Sequence, residues 1–515
     1  MEYNQVSNKE VIKIQYISSR GKTIAVDAAN AIKMGIAPDG GLFVPETIPT
    51  LEKDFIKQMQ NLTYPERALH IMSLFLSDFT KEEIEQCVNS AYNQENFDNE
   101  KIAPLVKIDN KTYILELWHG PTSAFKDMAL QILPHLLTVS TKKTGEKSDI
   151  LILVATSGDT GKAALEGFKD VEQTKIVVFY PVHGVSEVQK RQMNTQEGEN
   201  VYVAAVEGNF DDAQSGVKEI FGDVELQEYL QTNNIKMSSA NSINWGRLLP
   251  QIIYYISAYL DLQKSGAITP DEPINVVVPT GNFGNILAAY YAKQMGIPIN
   301  KLILASNSNS VLTDFIQTGI YDRNRNFEKT LSPSMDILIS SNLERLLFEV
   351  TNHDSQKINN WMEDLKEIGK YEVDKETHEI IRDIFWSESC SDTETIKTIN
   401  DTWENKNYLL DTHTAVAVNV YEKYLEESSD NTLTVIVSTA SPYKFGASVA
   451  PAIISEDKLK TEDEFEMLNI LSSKTAIPIP EGIKNLKEKP ILHQTVTSKE
   501  DLQKTVLGFL GLGEF

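Results

Sequence analysis

From about residue 102 onward, apolar residues alternate between two rhythms. Short continuous runs, ILILV at 150–154, KIVVFY at 175–180, VYVAAV at 201–206, INVVVP at 274–279 and KLILAS at 301–306, read as strands buried on both faces. Between them lie helical patterns: KAALEGFKD at 162–170, DDAQSGVKEIFGD at 211–223, an apolar-faced stretch over 245–264, and ILAAYYAKQMG at 286–296. The stretch LTVIVSTASPYKFG at 433–446 returns to strand, turn and helix. This βαβ rhythm predicts an α/β protein with open parallel sheets covered by helices. In that class ligands sit at the carboxyl ends of strands.

Before residue 102 the pattern is different. IQYISSRGK reads as a short strand ending in a turn at Arg20-Gly21, and VDAANAIKMG as a helix stopped by Gly35. Two helical patterns follow over 64–79 and 80–93, the second opening with Thr80 and Glu83 spaced as a capping box. The expected division is therefore a small α-rich domain over 1–100, an α/β region over 101–460 and a C-terminal extension over 461–515. A smaller sheet subdomain is expected at about 140–220. The polar, mostly helical stretch 320–410 reads as an insertion or lid, and the Pro-rich AIPIPEG near the end as a surface crossing.

A length of 515 residues agrees with two or three domains. The balance of 48 basic against 73 acidic residues, net −25, argues against nucleic acid and anionic membrane as partners, since both need positive surface. Two cysteines, Cys87 and Cys390, far apart in sequence, favour a reducing compartment, and no zinc or other metal spacing is present. The first residues lack an apolar signal-peptide core, and no run of eighteen apolar residues occurs. A cytoplasmic protein is expected.

The stretch LWHGPTSAFKDMALQ at 117–131 concentrates the chemistry. It places Lys126 after a turn and at the mouth of a helix, where desolvation lowers an amine's pKa and favours a Schiff base. A solvated lysine is the bland reading of that stretch taken alone. Gly281-Asn282-Phe283-Gly284-Asn285, between a strand and a helix, is a phosphate cradle by physics, though neither a P-loop nor GxGxxG. Thr156-Ser157-Gly158-Asp159-Thr160-Gly161 occupies the same position after another strand and suits a second anion, or simply caps its helix. Ser438-Thr439-Ala440-Ser441-Pro442 could aim a hydroxyl at a ring nitrogen. Ser242 and Arg247, before the long apolar helix, offer an anion clamp. His119 lies close enough in sequence to approach Lys126, and His413 reads as holding a turn.

Taken in order, SSRG, GIAPDGGLFVPE, HGPTSAFKDMALQ, ATSGDTGKAA, SSANSINWGR, PTGNFGN, DTHTAVA and STASPYKF resemble the threonine synthases, pyridoxal-phosphate enzymes of the fold type II group that includes the tryptophan synthase β-subunit. The resemblance covers most of residues 15–450. It implies two open, mostly parallel sheets flanked by helices with a small N-terminal domain, and a monomer or homodimer. It also implies that Lys126 carries pyridoxal 5'-phosphate, that Gly281, Asn282, Phe283, Gly284 and Asn285 cradle the cofactor phosphate, and that Thr439 faces the pyridine nitrogen. Asp159 stands where many relatives in the wider group have an asparagine facing the ring hydroxyl. Thr156, Thr160, Ser242 and Arg247 would hold the phosphate of the substrate, O-phospho-L-homoserine, on its way to L-threonine. The alternatives are a threonine-synthase-like phosphatase or binding protein, and a serine or threonine dehydratase.

Overall fold

In the computed structural model, which describes residues 13–513 except 157, 184, 456 and 460–462, the buried apolar runs assemble into two sheets. The larger has six strands in the spatial order Phe385–Ser389, Ile299–Ser306, Ile274–Pro279, Thr434–Ser438, Thr112–Glu116 and Leu105–Lys107. All neighbours run parallel except the last pair, which closes one edge antiparallel. At the centre Val277 pairs with Ile303 on one side and Ile436 on the other, and all three are buried. The smaller sheet is wholly parallel, in the order Thr495–Thr497, Val201–Val206, Thr174–Pro181, Asp149–Ala155 and Ile235–Ser238.

Local signals hold where they rest on backbone chemistry. Gly35 ends the helix Ala28–Met34 at φ +71°, a conformation that costs a Cβ-bearing residue about 1 kcal/mol or more. Thr80 and Glu83 form a reciprocal capping box on the helix Lys81–Ala91, which satisfies two otherwise orphaned N–H groups. The 245–264 pattern becomes the helix Trp245–Lys264, buried along almost its whole length. Trp245 sits among Tyr16, Phe75 and Tyr291, so the N-terminal residues share one apolar core with the α/β region.

Three boundaries differ from the sequence reading. The stretch 320–410, expected as an insertion or lid, supplies the edge strand Phe385–Ser389 of the larger sheet and a two-stranded ribbon, Ile320–Asp322 with Lys370–Glu372. Its strands mix polar and apolar residues because each lies at an edge, and this hid them. The smaller sheet reaches Ser238, beyond the expected end near 220. The C-terminal stretch is more than an extension. Thr495–Thr497 adds the fifth strand of that sheet, and Leu502, Val506 and Leu507 pack beneath it.

The strand ends decide where chemistry can occur. The loops after Thr112–Glu116, Asp149–Ala155, Ile274–Pro279 and Thr434–Ser438 all leave from carboxyl ends.

Candidate active site

Lys126 is fixed by backbone before any side chain acts. Phe125 N–H donates to Thr439 O at 2.8 Å, Ser441 N–H donates to Ser123 O at 3.1 Å, and Ala124 bridges Ala440. Asp127, fully buried, accepts from the Thr122 N–H at 2.8 Å and the Thr122 hydroxyl at 2.7 Å, which tightens the turn before the lysine. The helical pattern that follows divides into Asp127–Leu130 and Leu133–Lys143, because Pro134 has no N–H to continue the first piece. The Lys126 side chain is 11% exposed, and its Nζ lies 4.8 Å from the centre of the Phe125 ring. Burial lowers its pKa. Asp159 opposes that shift, while Lys444 and Arg247 reinforce it.

Asp159 gathers donors from four parts of the chain. Its Oδ1 pairs with Lys444 Nζ at 2.9 Å and accepts from Gln189 Nε2 at 2.8 Å. Its Oδ2 accepts from the Ser334 hydroxyl at 3.1 Å and lies 3.6 Å from Lys126 Nζ. Burial by itself would raise the carboxyl pKa, but the Lys444 and Lys126 ammonium groups hold it well below the usual carboxylate range. Ser334 is held in turn. Its N–H donates to His413 Nε2 at 3.1 Å, and His413 Nδ1 donates to Asp411 at 3.0 Å. His413 therefore does more than hold a turn, because it anchors a residue that touches the site. His119 instead lies between Asp98 and Glu116.

The glycine-rich loop opens the helix Gly284–Gln294. Phe283 adopts φ +62°, strained for a residue with a side chain, and its ring packs on Phe385 of the edge strand. A Cβ on Gly281 would lie 2.7 Å from Ser334 O, so only glycine lets the Pro333–Met335 turn approach this loop so closely. Ser340 Oγ donates to Gly281 O, and Asn342 donates to Asn282 O through both its N–H and its Nδ2. Asn285 Oδ1 accepts from the hydroxyls of Tyr254 and Tyr255, while its buried Nδ2 has no partner among the described residues.

Arg247 is 3% exposed. It donates through Nη1 to Ala240 O, its buried Nε has no partner, and no carboxylate pairs with it among the described residues. Burial pushes its pKa down to about 10. A buried cation so poorly satisfied costs several kcal/mol. An anion at this place would relieve that cost.

Family models match three consecutive parts of the chain: "Threonine synthase N terminus" over 15–92, "Pyridoxal-phosphate dependent enzyme" over 97–440, and "Threonine synthase, C-terminal" over 414–506. The Schizosaccharomyces pombe threonine synthase is 38% identical over 86% of this chain and 90% of its own length. The chain belongs to the threonine synthase family. A crystal structure of the yeast threonine synthase superposes with TM-score 0.86 at 34% identity, covering 98% of this chain and all of that one. The pyridoxal-phosphate-bound threonine synthase of Brucella melitensis superposes with TM-score 0.85 at 35% identity, covering 96% of this chain and 99% of that one. Human threonine synthase-like 1 is 41% identical over 92% of this chain, which spans 65% of the length of that relative.

Pyridoxal phosphate is the cofactor of this family, and the residues present fit it. A desolvated amine, an orphaned buried amide and a glycine-opened helix N-terminus supply what an aldehyde and a phosphate need. Of the residues expected for a threonine synthase site, Lys126, Asp159, Thr439 and Arg247 come together through direct bonds or shared charge. Asn342 joins Ser242 to the glycine loop by donating to Ser242 O and Asn282 O. Thr156 Oγ1 accepts the N–H groups of Gly158 and Gly161, so it caps the helix Asp159–Phe168 and keeps its hydroxyl hydrogen to donate. Thr160 is half-buried in that helix's first turn, and Ser157 lies outside the described residues. Sequence reasoning missed Lys444, Gln189 and Ser334. Lys444 stood in the STASPYKF motif, and a lysine among apolar neighbours was the available signal. Gln189 and Ser334 carried none.

Proposed function

We propose that this protein converts O-phospho-L-homoserine and water to L-threonine and phosphate. The observation that carries the reading is Arg247, a buried guanidinium that pairs with no carboxylate among the described residues and whose charge acts on Lys126. A dehydratase has no use for such a group, because its substrate bears no phosphate.

When bound, pyridoxal phosphate accepts the electron pair left as a proton leaves the substrate's α carbon. The chain's own residues do the rest. The Lys126 amine would hold the cofactor and, when free, would move protons between the α, β and γ positions. The N–H groups of Gly281, Asn282, Phe283, Gly284 and Asn285, with Asn285 Nδ2, would hold the cofactor phosphate at the positive end of the Gly284–Gln294 helix. Arg247 holds the substrate phosphate, with Thr156, Thr160 and Ser242 as hydroxyl donors, through charge-assisted bonds of about 1.5–3 kcal/mol each. Thr439 offers the ring nitrogen a neutral hydroxyl, which stabilises a pyridinium less than a carboxylate would. Asp159 would be the residue to face the ring hydroxyl. We place the protein in threonine biosynthesis within the aspartate-family pathway, in the cytoplasm, acting alone or as a homodimer. The two cysteines are both buried and free, which supports a reducing compartment. No helix among the described residues is long and apolar enough to cross a membrane.

A second reading is favoured by the 41% identity to threonine synthase-like 1, above the 38% to the S. pombe threonine synthase. In that reading phosphate is released without threonine. Incubating the cofactor-loaded protein with O-phospho-L-homoserine and assaying both products separates the two. Equal release of phosphate and threonine is expected, and phosphate alone would overturn the proposal.

A further inference from the structure

Two lysines converge on one buried carboxylate. Lys444 Nζ approaches Asp159 Oδ1 at 2.9 Å and donates to Thr122 O at 2.8 Å, and its side chain is fully buried. Lys126 Nζ stands at 3.6 Å from the other oxygen, which already accepts from Ser334 at 3.1 Å. Gln189 adds a third close donor at 2.8 Å. Asp159 is therefore filled by Lys444, Gln189 and Ser334, and Lys126 is its most distant partner.

We propose that Lys444 is a positioning residue for Lys126: its ammonium takes up the Asp159 charge and leaves the Lys126 amine without a full counter-ion, ready to bond the cofactor aldehyde. Only a neutral amine can do so. Its lone pair forms the new C–N bond, the carbonyl oxygen leaves as water with the two N–H hydrogens, and a C=N bond remains. A single lysine beside Asp159 would form an ordinary ion pair and stay protonated. Two lysines on one carboxylate cannot both be neutralised, and the one held at hydrogen-bond distance keeps the charge. Lys444 also has a fixed backbone seat. It lies in the turn Pro442–Phe445, whose start is bonded to the Lys126 loop through Ser441 and Ser123.

The charged groups around the pair leave this balance in place. Arg247 and Lys444 both disfavour a cation at Lys126, and Asp159 is the carboxylate that most favours one there among the described residues. Asp127 feels the Lys444 charge and has its pKa pushed up to about 6 by burial, but Thr122 holds both of its oxygens. Lys162 is paired with Glu166 at 2.7 Å.

This inference rests on Lys126 carrying the cofactor. Its test is the pH midpoint of the holoenzyme's visible absorbance transition, which reports protonation of the Lys126 nitrogen. Lys444→Met is expected to raise the midpoint by about one unit, and Lys444→Arg to leave it in place. Lys444→Gln, which keeps a donor toward Asp159 and Thr122 while removing the charge, is expected to raise it as well, and decides the matter if Lys444→Met does not fold. A midpoint unmoved in whichever of these two variants folds would overturn the role of Lys444. A wild-type protein with no visible band after cofactor is added would overturn the cofactor reading itself.

Discussion

Arg247 and Arg345 are both buried guanidinium groups, and only Arg345 is satisfied. Arg345 donates to Phe43 O, Asn342 Oδ1 and Ile243 O, whereas Arg247 donates to Ala240 O alone and leaves its Nε orphaned. Burial pushes the pKa of each down to about 10. The same residue type, buried in both places, thus stands in two situations. Arg345 ties the N-terminal strand Phe43–Pro45 to the site loops, and Arg247 is left with a donor that nothing among the described residues takes up.

Substitution should separate those roles. Arg247→Ala is expected to reduce kcat/KM for O-phospho-L-homoserine by roughly a hundredfold, with little loss of stability, since it removes an unsatisfied buried charge. Arg345→Met leaves three oxygens without a donor and should cost about 3 kcal/mol or more in urea unfolding. Unchanged turnover in Arg247→Ala would remove its assigned place.

Asn285 offers a cleaner test of the cofactor cradle. Asn285→Asp keeps an oxygen for Tyr254 and Tyr255 but replaces the free Nδ2 donor with a second acceptor. A carboxylate facing a phosphate should weaken cofactor binding by roughly a hundredfold, read as the dissociation constant from a spectroscopic titration, while the melting temperature changes little.

The helix that follows Lys126, Asp127–Leu130, is pressed against another. A Cβ on Gly167 would lie 2.0 Å from Leu130 O, a backbone atom that cannot swing away. Gly167→Ala should therefore displace the helix Asp127–Leu130, costing about 1–3 kcal/mol in stability and lowering cofactor affinity through Lys126. Wild-type affinity in that variant would show that the helix tolerates the shift.

His119 predicts a pH dependence. Burial would lower its pKa, but the hydrogen bonds its ring donates to Asp98 at 2.6 Å and Glu116 at 2.9 Å raise it to about 9. A folded-state value above the unfolded one means the stabilisation is complete below about pH 6.5 and disappears as pH rises through about 9. His119→Gln should thus cost about 2 kcal/mol at pH 6, allowing for solvent screening at exposed Asp98, and little at pH 10. Denaturant midpoints of both proteins at the two pH values check this.

Much of the molecule follows from local order along the chain. Buried parallel strands show as continuous apolar runs because both faces lack water, and this made 150–154, 175–180, 201–206 and 274–279 legible. Capping at Thr80 and Gly35 is chemistry within one turn, so it too can be read from neighbours. Phe385–Ser389 was not legible, because an edge strand needs only part of its surface to be apolar. Lys126, the glycine loop and Arg247 stood out by type and position, since strand ends, turns and helix starts announce themselves, but their expected roles came only from the ordered motifs that resemble the threonine synthases.

What tertiary structure alone decided is who meets whom. Ser334 comes from a stretch with no catalytic signal, and it reaches Asp159 across 175 residues of sequence because His413 holds its backbone and Gly281 gives it room. Lys444 reaches the same carboxylate from a segment 285 positions further along the chain, after a strand paired in parallel with Thr112–Glu116. Sequence determined the residue types, the strands and the turns, because those depend on near neighbours. The sharing of Asp159 between two lysines, and the solitude of Arg247, depend on distances between segments far apart in the chain, and packing alone sets those distances.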